Sequence, residues 1–122
     1  MPASSEQLWA LAYSTLTPKA GHTPERTLNR LVNERFPGMP VLDIQSATCT
    51  IREELWPLEK LGTLELRHSD GKPRRDGGAI IAVECREHIL LVDGNNRVNY
   101  WRVNQVQGPH RVVIITCPRI AR

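Results

Sequence analysis

The chain has 122 residues with a formal net charge of +3, 40% apolar and 24% charged residues, enough for one domain with its own core and no need of staples. That balance excludes disorder as the default, and the mild basicity suits an anionic ligand without by itself arguing for nucleic-acid binding. Cys49, Cys85 and Cys117 stand singly, with no CxxC pair, which argues against a secreted disulfide framework and a structural zinc site, and Cys85 and Cys117, beside apolar strand residues, read as buried structural thiols.

In chain order, Ser4 with Gln7 three residues later opens like a capping box, and Leu8, Leu11, Ala12 and Leu16 come after it at helical spacing. A helix over about 5–16 is expected, stopped by Pro18 and Gly21. Thr23 as N-cap, Pro24 at the first helical position and Glu25 in the first turn announce a second helix. Leu28, Leu31, Val32 and Phe36 form its buried stripe and Pro37-Gly38 ends it, while Arg26, Arg30 and Arg35 make a basic face for solvent or a partner. Val41–Ile44 and Thr48–Ile51 carry the β-branched residues of strands. Trp56 to Leu61 reads as a short helical turn with Pro57 near its start, and Thr63–Arg67 alternates like a strand. The polar stretch 68–77, with Lys72-Pro73-Arg74-Arg75, reads as a loop.

The most informative stretch lies beyond that loop. Gly78–Glu84 and Ile89–Val92 read as two strands joined by the tight turn Cys85-Arg86-Glu87-His88. The second strand enters a polar turn, Asp93-Gly94-Asn95-Asn96, and then a helix over 98–106, ended by Gly108-Pro109. A last strand spans His110–Cys117. A strand that turns directly into a helix N-terminus gathers unpaired N–H groups and the positive end of the helix dipole, a ready site for phosphate. Gly94 permits the sharp turn and close approach of a bulky anion. Asn95 and Asn96 tolerate turn geometry and offer donors, and Arg97 is placed for a bidentate contact. Asp93 is a candidate for holding a ligand hydroxyl or Mg²⁺, Glu84 a candidate general base or Mg²⁺ ligand, and Arg75 a candidate phosphate clamp. The alternative for the turn is an ordinary Asx turn and helix cap.

The run from Ile80 through Val98, with its strand pair and its Asp93-Gly94-Asn95-Asn96-Arg97 turn, resembles the core of the ParB/sulfiredoxin-like superfamily. The resemblance covers 40–117 in order of elements and 78–103 in motif. It implies a small α/β (α+β) mixed-sheet domain, with residues 1–38 as a helical N-terminal extension and 39–122 as the core. It also implies a turn, Gly94 to Arg97, that binds the phosphates of a nucleotide such as ATP or CTP. Read from the residues themselves, a phosphotransferase or hydrolase reaction would have Asp93 and Glu84 as its candidate catalytic groups, with Mg²⁺ beside them as a further cofactor. Asn95 stands where sulfiredoxins carry their catalytic cysteine, so sulfinic-acid reduction is not implied.

Two other function classes stay open. One is a non-catalytic protein-interaction module, an adaptor, inhibitor or toxin–antitoxin component acting through residues 5–36. The other is a nucleic-acid binder or nuclease using Lys72–Arg75. His68, Asp70, Asp76 and His110 match no metal-ligand spacing. No basic-then-apolar leader opens the chain and no apolar run approaches the ~18 residues of a membrane span, so the expected setting is cytoplasmic, without membrane partners.

Overall fold

A computed structural model describes residues 4–16, 20–35, 49–66, 79–85 and 88–117. Its elements in order are α1 (Ser5–Thr15), α2 (Pro24–Glu34), β1 (Thr50–Trp56), α3 (Leu58–Leu61), β2 (Ile80–Cys85), β3 (His88–Asp93), α4 (Asn95–Val103) and β4 (His110–Thr116). The strands form one sheet in the order β1-β4-β2-β3, with β2 and β4 parallel and both outer pairings antiparallel. The fold is a small mixed α/β domain, the class the sequence pattern predicts.

Both helices of the N-terminal part start as their caps dictate. Ser4 Oγ accepts from Gln7 N at 3.2 Å, while Ser4 N donates to Gln7 Oε1 at 2.8 Å, closing the capping box. Thr23 Oγ1 accepts from Arg26 N at 3.1 Å, with Pro24 at the first helical position. The one buried polar residue of α2, Thr27, satisfies its hydroxyl by donating to Thr23 O at 3.0 Å.

Period-two alternation sorts the strand residues onto two faces. Ile81, Val83, Val92, Val113 and Ile115 pack against Ala12, Leu16, Leu28 and Val32 of α1 and α2. Ile80, Ala82, Leu91, Val112 and Ile114 pack against Leu61, Leu64 and Val98, with Trp56 and Trp101 beside them. The sheet is therefore covered on both sides, which explains why its two central strands, β2 and β4, are apolar at successive positions rather than alternating. The first two helices form one of the two covering layers.

Four sequence expectations change. Residues 63–66 form no strand; they turn away from α3, with Leu64 N donating to Leu61 O at 3.1 Å, and bury Leu64 under the sheet. Thr50-Ile51 opens a strand that runs on through Arg52, Glu53 and Glu54 to Trp56. Its charges are tolerated because β1 lies at the edge of the sheet, where a charged face is common. The last helix spans Asn95–Val103 rather than 98–106, so Asn95 and Asn96 join Arg97 in its first turn and Val106 lies past its end. Cys85 closes β2 and His88 opens β3 instead of forming the turn between them. Val41–Ile44, Phe36-Pro37-Gly38, Thr48, Arg67, Gly78, the stretch 68–77 and the turn residues Arg86 and Glu87 lie outside the described residues.

Candidate functional site

The junction of β3 with α4 is built from both sides of the sheet edge. Ile81 of β2 stands opposite Asp93 and Ala82 opposite Leu91, so β3 carries one extra residue there, a bulge. A bulge bends the strand and re-aims the residues beyond it. Directly after it comes Gly94 at φ 104°, the N-cap of α4, whose carbonyl accepts from Val98 N at 2.9 Å. Val98 is fully buried under the sheet, and Trp101, one turn on, stacks on His110 with ring centroids 3.9 Å apart. These contacts fix the axis of the helix and hence the direction of its first turn.

The three longer helices differ at their starts. α1 and α2 each have a hydroxyl N-cap and a glutamate in the first turn, whereas α4 has a glycine N-cap, no side-chain cap and no acidic residue there. The positive end of its dipole meets no first-turn carboxylate from its own helix. Asn95, Asn96 and Arg97 are half-buried. Arg97 reaches back and donates from Nη1 to Ala79 O at 2.9 Å, tying the first turn of α4 to the residue before β2. The guanidinium is thus a positioning group of the junction as well as a candidate phosphate contact.

Of the residues singled out in the sequence, Asp93, Gly94, Asn95, Asn96 and Arg97 come together at this junction. Glu84 does not join them. It lies four residues along β2 from Ile80, about 13 Å at strand rise, and faces a different set of groups. Arg52 Nη1 and Nη2 donate to its two carboxylate oxygens at 3.2 and 3.4 Å, and Thr116 Oγ1 donates to Glu84 Oε1 at 3.1 Å. Arg52 also donates from Nη1 to Thr116 Oγ1 at 2.8 Å and from Nε to Glu54 Oε2 at 2.7 Å. Trp56 Nε1 donates to Glu54 Oε1 at 2.9 Å. This network crosses β1, β4 and β2, and the sequence reading missed it. The signal was the alternation Arg52, Glu54, Trp56, which puts all three on one face of a strand. Arg74 and Arg75 lie outside the described residues, as do Asp70, Asp76 and His68.

Arg52 holds the Glu84 carboxyl below the ordinary carboxylate range, and Arg52 followed by Trp56 does the same for Glu54. A carboxylate with a lower pKa in the folded than in the unfolded chain stabilises the fold above about pH 4.3 and loses that contribution as pH falls through its folded value. Exposed pairs of this kind contribute about 0.2–1 kcal/mol each. Glu84→Gln is therefore expected to flatten the loss of stability between about pH 5 and pH 3, read from urea midpoints at each pH. An unchanged pH slope would mean that the Arg52 contact adds nothing in solution.

A cleft of about 200 Å³ lies beside β3, lined by Glu34, Arg35, Glu65, Leu66, Leu90 and Leu91. Two carboxylates on its wall and a volume under the ~300 Å³ of ordinary ligand pockets make it a poor receptacle for a nucleotide's phosphates. Among the described residues no three His, Cys, Asp or Glu side chains come together to hold a metal ion, and no helix is long and apolar enough to cross a membrane. Comparison with family models, curated proteins and solved structures finds no match for the chain.

Proposed function

We propose that the chain is a nucleotide-binding domain of the ParB/sulfiredoxin-like type, taking the phosphates of ATP or CTP on the first turn of α4. The observation that carries this reading is the β3–α4 junction itself. A left-handed glycine replaces a capping side chain, no carboxylate occupies the first turn, and Arg97 sits in that turn. Backbone N–H groups and a helix dipole at a helix start, with an arginine in its first turn, are the elements that bind phosphate in other strand-to-helix turns. The mild positive charge of the chain is in keeping with an anionic ligand.

Binding is better supported than transfer. Asp93 borders the junction, but Glu84 is engaged with Arg52 at the other end of β2. A Mg²⁺ ion would therefore arrive with the nucleotide, held by its phosphates and at most by Asp93, as Mg²⁺ commonly is. A phosphotransferase or hydrolase activity would draw on Asp93, Arg97 and that ion. Cytoplasmic residence belongs to the same proposal.

The test is a thermal-shift titration with ATP, CTP, ADP and GTP, with and without Mg²⁺, on the parent chain and on Asn96→Asp. Arg97→Ala is a poor probe, because it also removes the bond to Ala79 O. Asn96→Asp keeps the size of the side chain and places a negative charge where the dipole favours one, and the Tm of the ligand-free variant is the baseline from which its nucleotide shift is read. The same charge repels a phosphate. A nucleotide at about 100 times its Kd adds ~2.7 kcal/mol to the parent, and that shift should be lost in the variant. An undiminished shift in Asn96→Asp would move the site elsewhere. No shift with any nucleotide would favour the protein-interaction module.

A further inference from the structure

We propose that Cys49 and Cys117 are a cross-strand dithiol that a small-molecule disulfide converts to an intramolecular disulfide, fastening the entry to β1 onto the exit of β4. The two cysteines are 68 positions apart in sequence, yet Cys49 Sγ donates to Cys117 Sγ at 3.7 Å. Strand register brings them together. Thr50 pairs with Thr116 at the end of the antiparallel β1–β4 ladder, and one further step outward sets Cys49 opposite Cys117. Residues directly opposite in such a pair have Cα atoms about 4.5–5.5 Å apart, inside the range a disulfide spans. The thiols are already in contact, and the bond asks for closure of that contact to a disulfide's length and dihedral.

Access differs between the two. Cys49 is half-buried, while Cys117 is 5% exposed and packed in the core under α1 and α2. Cys49 is thus the sulfur an incoming disulfide reaches. Its thiolate attacks one sulfur of the small disulfide, forming a mixed disulfide at Cys49 and releasing the first small thiolate. The Cys117 thiolate then attacks Cys49 Sγ, forming the Cys49–Cys117 bond and releasing the second. Two electrons pass to the small molecule, and the two protons from the cysteines end on its two thiols.

Burial raises the pKa of both thiols, that of Cys117 to about 12 with Cys49 and Cys85 adding to the rise. Little thiolate is present at neutral pH, so the exchange is slow. The same property leaves the reduced form without thiolate stabilisation, and stabilisation of the reduced form is what makes a disulfide strongly oxidising. The product is a slow-forming, persistent lock rather than a quick sensor. It lies at the Glu84–Thr116 end of the sheet, opposite the β3–α4 junction.

The experiment incubates the full chain with oxidised glutathione at alkaline pH, quenches it with acid, and reads the intact mass, the non-reduced peptide map and Tm. The expected product is lighter by two hydrogens, with the Cys49 and Cys117 peptides joined. Closing a loop of 68 residues should raise Tm by about 10 °C, reversed by dithiothreitol. Cys85→Ser should behave like the parent, and Cys49→Ser should form no intramolecular bond. Since Cys49 is half-buried, that variant is expected to fold. A Cys85–Cys117 bond, or a glutathione adduct on Cys49 that never resolves, would overturn the proposal.

Discussion

Gly94→Ala is expected to lower the unfolding free energy by about 2–4 kcal/mol, the sum of a strain and a clash. The backbone there has φ 104°, outside the range that residues with a Cβ normally adopt. A Cβ added to it would also stand 2.6 Å from Ile80 Cγ2 and 3.0 Å from Ile80 Cβ. Ile80 is fully buried among Ala82, Leu91, Val98 and Val112, so it cannot swing aside without disturbing its neighbours. Gly21 supplies the control. It has φ 83°, and a Cβ added there would meet nothing within 4 Å, so Gly21→Ala isolates the strain and should cost only about 1 kcal/mol. Urea unfolding of both variants, at equal m-values, measures the difference. Equal costs would mean that Ile80 does not press on Gly94, and the close approach that defines the junction would be lost with it.

That glycine also marks how far the sequence could be read. Its place between an apolar strand and a helix made the turn legible, because only glycine enters a left-handed position without penalty. The exact start of α4 was not legible. Asn95 and Asn96 are as much turn formers as helix starters, and the choice between them was made by Val98 and Trp101 finding the sheet. The full extent of β1 was hidden for a related reason. Arg52, Glu53 and Glu54 are poor strand formers on any scale, and their pairing with Ile114, Val113 and Val112 is a tertiary fact. The register also turns Arg111 onto Glu53 at its diagonal, with Arg111 Nε donating to Glu53 Oε2 at 3.0 Å. Conversely, the starts of α1 and α2 were announced, because Ser4 and Thr23 act within three residues of their own positions. Local chemistry was readable; the partner of a charged edge strand, and the placement of Glu84 beside Arg52 rather than in one site with Asp93, depended on strand order.

Leu28→Ala should cost about 2–5 kcal/mol and still unfold the whole domain in one transition. The side chain is fully buried, and its cluster joins Val32 of α2 and Ala12 of α1 to Ile81, Val83, Val113 and Ile115 of the two central strands. Truncation removes those contacts and leaves a cavity that a helix held by its own cap and by the sheet can close only in part. Were residues 1–38 an extension lying on a self-sufficient core, the loss would fall on α1 and α2 alone. Far-UV dichroism would then show an early helical step, and the fluorescence of Trp101, isolated by replacing Trp9 and Trp56 with Phe and reporting from α4 on the opposite face, would change later. Coincident transitions from both probes, shifted together to lower urea, are the expected result. Arg26→Ala, on the exposed side of the same helix, should move the midpoint by no more than about 0.5 kcal/mol. The contrast arises from the layering: β2 and β4 present buried apolar side chains to both faces, and a sheet of that composition needs a cover on each.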